Sequence, residues 1–290
     1  MTSFQHKKQL RFVIKLGDDS FSYSGTDTII LQGFRASVNI DKAGGMMMGT
    51  LRAKIWGVAQ EDMNSATTLQ WQTGIAIKNT IEVFAIDGET ETQVFAGNIV
   101  NAWGDYSGMP DVFLNIQAQS AFYSQIAATE PRSYPGGISV ATVMGQIATE
   151  MGLAFENNGV DAQLSNVYLD NTATEQAKEL ARMAGCDLYI DDTVLAITPK
   201  SGPRGGEIPI ISPTSGLVGY PTFDGIGVIC KIMFNPAVLF GGQIELVTDI
   251  PRAAGKWVVA SVAYNLESEK PDGAWFATIR GNQNGLAVTR

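Results

Sequence analysis

One histidine and two cysteines among 290 residues leave this chain short of the side chains that most enzymes use. His6 stands alone in a polar N-terminal segment and reads as a solvated residue. Its isolation excludes Ser-His and Cys-His nucleophile pairs and any multi-histidine metal site. Cys186 and Cys230 lie far apart and outside any CxxC spacing, so they read as two buried, reduced thiols. No apolar run approaches the ~20 residues of a membrane helix. The N-terminal stretch MTSFQHKKQLRF also lacks the apolar segment of a secretory leader. A chain that is unexported and not inserted in a membrane is expected.

Phosphate chemistry is missing as well. There is no Gly-Lys-Ser or Gly-Lys-Thr, and the Gly225-Ile-Gly227 of GYPTFDGIGVICKIMF has Cys230 where a dinucleotide fingerprint carries its third glycine. No helical pattern follows it. These glycines are expected to serve a turn or bulge together with Gly219 and Pro221. Twenty-nine acids against twenty bases give a net charge of −9, which opposes contact with a nucleic-acid backbone. No catalytic residue, cofactor or metal ligand is therefore predicted.

What is present is alternation. FRASVNI places Phe34, Ala36, Val38 and Ile40 on one face, and TLRAKIW does the same with Leu51, Ala53 and Ile55 while Arg52 and Lys54 point away. A hairpin is expected at Asp87-Gly88, and a short helix near residues 60–69. At Ser139 the period becomes helical, with Val140, Val143, Met144, Ile147 and Met151 in one stripe, Ser139 as N-cap and Gly152 as terminator. A second helix follows in TATEQAKELARMAG, where Thr172 and Glu175 have capping-box spacing and Gly185 supplies the stop. CDLYIDDTVLAITP then reads as a hairpin in which Asp191 and Asp192 form the turn. PKSGPRGGEIP reads as a linker with almost nothing to bury, and strands return after it.

Three units result: a β domain over 1–124, a small α+β domain over 125–200 and a second β domain over 201–290. The fold class is mainly β, antiparallel and barrel-like or sandwich-like, with an α+β insert. The acids are uneven: residues 125–200 hold ten against four bases, whereas 201–290 are balanced at seven and seven. Both β domains carry a glycine-bearing apolar loop between strands. Met46, Met47 and Met48 occupy the first, and Val238, Leu239 and Phe240 the second. Each loop reads either as a local core plug or as a contact surface for another chain.

The order of these motifs from Ser139 to Gly281 resembles the baseplate hub proteins of contractile-tailed bacteriophages. The stretch ISPTSGLVGYPTFDGIGVICKIMFNPAVLFGGQIEL looks like that family's entry into its last β domain, and GKWVVASVAYNLESEKPDGAWFATIRG like its closing strands. The resemblance implies two tail-tube-like β domains flanking the α+β domain. It further implies a homotrimer forming a pseudo-sixfold ring that joins the sixfold tail tube to the threefold central spike. Its implied partners are therefore itself, the tail tube protein, the spike protein and neighbouring baseplate proteins. The location would be the virion, after synthesis in the host cytoplasm. On this reading the six loop residues lie in subunit contacts, and the acidic assembly repels DNA passing through it. The rival reading is a tail-associated cell-wall hydrolase or glycan-binding module.

Overall fold

The structure, a computed structural model, describes residues 8–17, 20–21, 25–43, 47–67, 78–225 and 227–282. It divides into two compact units. Unit 1 comprises Met1–Asp41, Gly49–Tyr123 and Tyr264–Trp275; unit 2 comprises Lys42–Met48, Ser124–Ala263 and Phe276–Arg290. Residues 125–200 and 201–290 thus share one unit, apart from a segment of the latter that belongs to unit 1.

Unit 1 is an antiparallel sheet. Its strands are β1 (Lys8–Lys15), β2 (Thr28–Gln32), β3 (Ala36–Lys42), β4 (Thr50–Trp56), β5 (Thr80–Asp87), β6 (Thr90–Asp105) and β7 (Phe113–Gln119). They lie in the order β3-β4-β7-β6-β5-β1-β2. The predicted alternation holds: Ala36, Val38, Ile40, Leu51, Ala53 and Ile55 are buried with Phe12, Ile14 and Val83, while Arg52 and Lys54 are exposed. Period two forces this separation, because each strand faces apolar packing on one side only. The Asp87-Gly88 hairpin forms, with Asp87 paired to Thr90. A short helix spans Gln60–Ala66.

Unit 2 contains the α+β segment. The helix Val140–Glu150 buries Val140, Val143, Met144, Ile147 and Ala148. Ser139 occupies its N-cap position, yet its side chain makes no capping bond. The residue also ends strand β8 (Arg132–Ser139), and the Val140 N–H is satisfied by the Ala162 carbonyl instead. The helix Ala173–Ala184 is capped as its spacing requires: the Glu175 N–H donates to Thr172 Oγ1 at 3.3 Å, and Gly185 closes it at φ 63°. β8 pairs with β10 (Gln163–Leu169). β11 (Cys186–Asp191) and β12 (Val194–Pro199) form the expected hairpin, and β12 also pairs in parallel with β9 (Ala154–Asn157).

The remaining strands of unit 2 are β13 (Ile210–Ile211), β14 (Leu217–Phe223), β15 (Val228–Met233), β16 (Gln243–Leu246), β17 (Gly255–Ser268, in this unit to Ala263) and β18 (Trp275–Asn282, in this unit from Phe276). Val228, Cys230 and Ile232 point inward from β15, which pairs antiparallel with β14 and β18. Among the described residues no helix is long and apolar enough to cross a membrane.

Candidate functional site

The PKSGPRGGEIP segment buries more than its composition promises, and it organises a densely charged site of unit 2. Arg204 is buried, and its guanidinium donates to three partners: Asp191 Oδ2 at 2.9 Å, the Phe240 carbonyl at 2.9 Å, and Glu156 at 2.8 and 3.3 Å. Lys42 completes the cluster from the other direction. Its Nζ donates to Asp191 Oδ1 at 2.7 Å and Asp192 Oδ2 at 2.5 Å. The expectation of a linker with little to bury is corrected by these contacts. Proline and glycine do make the segment irregular, but one long side chain anchors it from within.

Asp191 and Asp192 also do more than form a turn. Adjacent residues of a regular strand face opposite ways, but Asp192 has φ 53° at the hairpin, and both carboxylates reach Lys42. Burial pushes the Asp191 carboxyl up, and Lys42 and then Arg204 outweigh it, so the group titrates below its ordinary range. Glu156 is likewise held low by the Arg204 guanidinium. Ion pairs this far from water cost desolvation, and they hold only because their hydrogen bonds are nearly complete.

Asp191 joins the two apolar loops. Lys42 stands at the start of the segment that leads to Met47 and Met48, and Arg204 grips the Phe240 carbonyl of the second loop. Met48, Val238 and Phe240 are buried, whereas Met47 is 65% exposed and Leu239 38%. Of the described apolar residues, the first loop thus buries one and presents one outward, and the second buries two and presents one. Met46 lies outside the described residues. Phe240 meets the Tyr189 ring edge to face, with centroids 5.3 Å apart and planes at 82°.

Gly241, one of the two glycines that follow Phe240 in the second loop, makes this packing feasible. It has φ 78°, and a Cβ there would come within 2.7 Å of Tyr189 and 2.9 Å of Arg204. The four turn residues of the sequence divide between two places. Gly219 and Pro221 lie inside β14, where the pairing with β15 shifts between Val218 and Thr222. Gly225 and Gly227 lie in the β14–β15 connection, where the Gly227 N–H donates to Asp224 Oδ1 at 2.9 Å. Their surroundings differ: a Cβ on Gly227 would sit 2.0 Å from the Gly281 carbonyl oxygen, and one on Gly225 would meet nothing within 4 Å.

Burial pushes the thiols of Cys186 and Cys230 up to about 11, so both are protonated at neutral pH and poorly suited to nucleophilic work. Among the described residues no group of three His, Cys, Asp or Glu is placed to hold a metal ion. Chemically, the Asp191 cluster is an internal clamp: every charged side chain in it is engaged by another part of the same unit.

Comparison with known proteins gives this architecture a context. A family model described as baseplate hub gp41 matches residues 11–279. No curated protein matches the sequence. Among solved structures, the 43 kDa tail protein of prophage MuSo2 from Shewanella oneidensis aligns with a TM-score of 0.61 at 13% identity, covering 94% of this chain and 97% of its own. A tail protein from Neisseria meningitidis MC58 aligns with a TM-score of 0.64 at 9% identity, covering 96% and 97%. The E. coli c3393 protein aligns at 0.55 and 9% identity over 88% of this chain and 74% of its own. It is described as a component of the type VI secretion system with structural similarity to the T4 bacteriophage tail proteins gp27 and gp5. At such identities these likenesses concern the fold alone.

Proposed function

The chain belongs to the baseplate hub gp41 family, and from that premise we propose that three copies close into a homotrimeric ring of pseudo-sixfold symmetry. Membership makes the protein a structural component of a phage tail baseplate, located in the virion. In the proposed ring, 1–124 and 201–290 act as two tube-like domains and 125–200 as the α+β domain between them. Three copies then present six β domains to a sixfold tail tube on one side and three equivalent positions to a central spike on the other. Neighbouring baseplate proteins pack outside. The chain would be made in the host cytoplasm, play no catalytic role in a contractile tail, and leave DNA unbound.

The observation that carries this reading is the pair of clamped loops. A loop fixed by buried ion pairs, yet presenting Met47 or Leu239 to solvent, suits a preformed contact for another chain. The terminal strands support it. β2 ends the strand order of unit 1 and β14 is an edge strand of unit 2, with Ile30 59% and Tyr220 75% exposed. Exposed edges of this kind are aggregation hazards that closure into a ring would cover. The net charge of −9 suits a channel that lets nucleic acid pass without holding it.

Mass photometry of the purified chain over a range of concentrations, paired with a peptidoglycan-release assay, tests the proposal. A trimer inert toward cell wall is expected. A chain that stays monomeric throughout and releases peptidoglycan fragments would point to the hydrolase reading instead.

A further inference from the structure

Unit 1 carries an open groove of about 510 Å³ on the polar face of its sheet. Strand register builds it. Lys54 of β4 stands opposite Asn115 of β7, which stands opposite Trp103 of β6; one step along, Arg52 stands opposite Gln117. Arg35 lies over the Trp56 ring at 4.6 Å, and Lys54 over Phe113 at 4.8 Å. Among the described residues the one acid in the lining, Glu267, is engaged by Lys270 at 2.8 Å and by the Ala274 N–H at 2.9 Å, and lies in the field of Arg35. Arg52 makes no ion pair among the described residues. Asn115, only 8% exposed, lines the groove floor between Lys54 and Trp103.

These features call for carboxylates, and the chain itself supplies them. Most acids between 125 and 200 are engaged internally: Glu150 with Arg132, Glu156 with Arg204, Glu175 with Lys178, Glu179 with Arg182, and Asp191 and Asp192 with Lys42. Glu130, Asp161 and Asp170 are exposed and form no ion pair among the described residues, and of these Glu130 and Asp170 lie close together. The Ala128–Thr172 bridge and the Arg132–Leu169 pairing bracket them, which brings Glu130 and Asp170 to the same end of the β8–β10 ribbon. Arg52 and Lys54, two positions apart on one strand, lie roughly 7 Å apart along it.

We propose that the Arg52–Lys54–Asn115 groove of each copy receives the Glu130–Asp170 end of the next copy's ribbon. This rests on the homotrimer reading, since a closed ring of identical chains needs two different, complementary patches on each. It also commits the groove to protein rather than nucleic acid. A chain with a net charge of −9 disfavours a dense polyanion, while two positioned carboxylates meet only the local field.

Charge reversal tests it on the full chain. Arg52→Glu with Lys54→Glu, and separately Glu130→Lys with Asp170→Lys, should each weaken trimerisation at least about tenfold by mass photometry. The two sets combined in one chain should restore most of it. Arg52→Gln with Lys54→Gln, whose thermal melt should match wild type, should weaken it less and reduce its salt dependence. A wild-type trimer indifferent to groove reversal overturns this inference and leaves the homotrimer reading intact, whereas a wild type that never trimerises overturns both. Reversals that disrupt singly but fail to rescue in combination overturn the Glu130–Asp170 assignment. Binding of a fluorescent single-stranded oligonucleotide, lost on groove reversal in a chain that still trimerises, overturns it in favour of a polyanion.

Discussion

The groove of unit 1 and the clamp of unit 2 are built from the same materials and left in opposite states. In unit 2, Lys42 and Arg204 are buried and matched against Asp191, Asp192 and Glu156 within the unit. In unit 1, Arg52 has no charged partner among the described residues and Arg35 and Lys54 rest on aromatic rings. Buried charges must be satisfied where they sit, because an unmatched one costs several kcal/mol. Exposed charges carry no such obligation and remain open to a partner. The contrast separates what holds one chain together from what is offered to the next.

The largest effect is expected at the clamp. Asp191→Ala removes one buried charge-assisted hydrogen bond from Lys42 and one from Arg204, leaving them Asp192, Glu156 and the Phe240 carbonyl, and should cost about 3–5 kcal/mol in urea unfolding, while Arg52→Ala should lie within about 0.5 kcal/mol of wild type. Equal losses at both positions would erase the distinction. Next comes the β14–β15 connection. Gly227→Val drives side-chain atoms into the Gly281 carbonyl and should cost about 3 kcal/mol, while Gly225→Val enters open space and should fall within about 0.5 kcal/mol. Gly241→Ala combines a left-handed backbone with crowding of Tyr189 and Arg204 and should cost about 2 kcal/mol.

The clamp also sharpens the comparison through pH. Asp191 and Glu156 titrate below their ordinary range when folded. The unfolded chain therefore binds their protons more readily, and their contribution is complete above the unfolded pKa of about 4. It drains away as pH falls from there through the folded values. Thermal melts from pH 7 to pH 2.5 should show a steep acid limb that flattens in Asp191→Asn. An unchanged limb would mean that other carboxylates set the acid stability.

Much of the scaffold was legible because it is local. Alternation in TLRAKIW, the Thr172–Glu175 cap, the Gly185 stop and the hairpin at Asp191-Asp192 each follow from a few adjacent residues. β8 was not legible, since its Pro135-Gly136-Gly137 reads as a breaker, and only pairing with β10 makes it a strand. The clamp was hidden for a related reason. Arg204 sits among residues that announce a linker, and its partners lie 13, 36 and 48 positions away. The groove depends on register among β4, β7 and β6, which no single stretch of sequence encodes. The apolar loops were recognised as unusual, but their division into buried and exposed residues required their anchors.

Cryo-electron microscopy of the assembled hub tests the central claim most directly. The account predicts three copies in a closed ring, six β domains around the axis, and Met47 and Leu239 buried between chains. Six copies in a true sixfold ring, or a ring in which both residues face solvent, would contradict it.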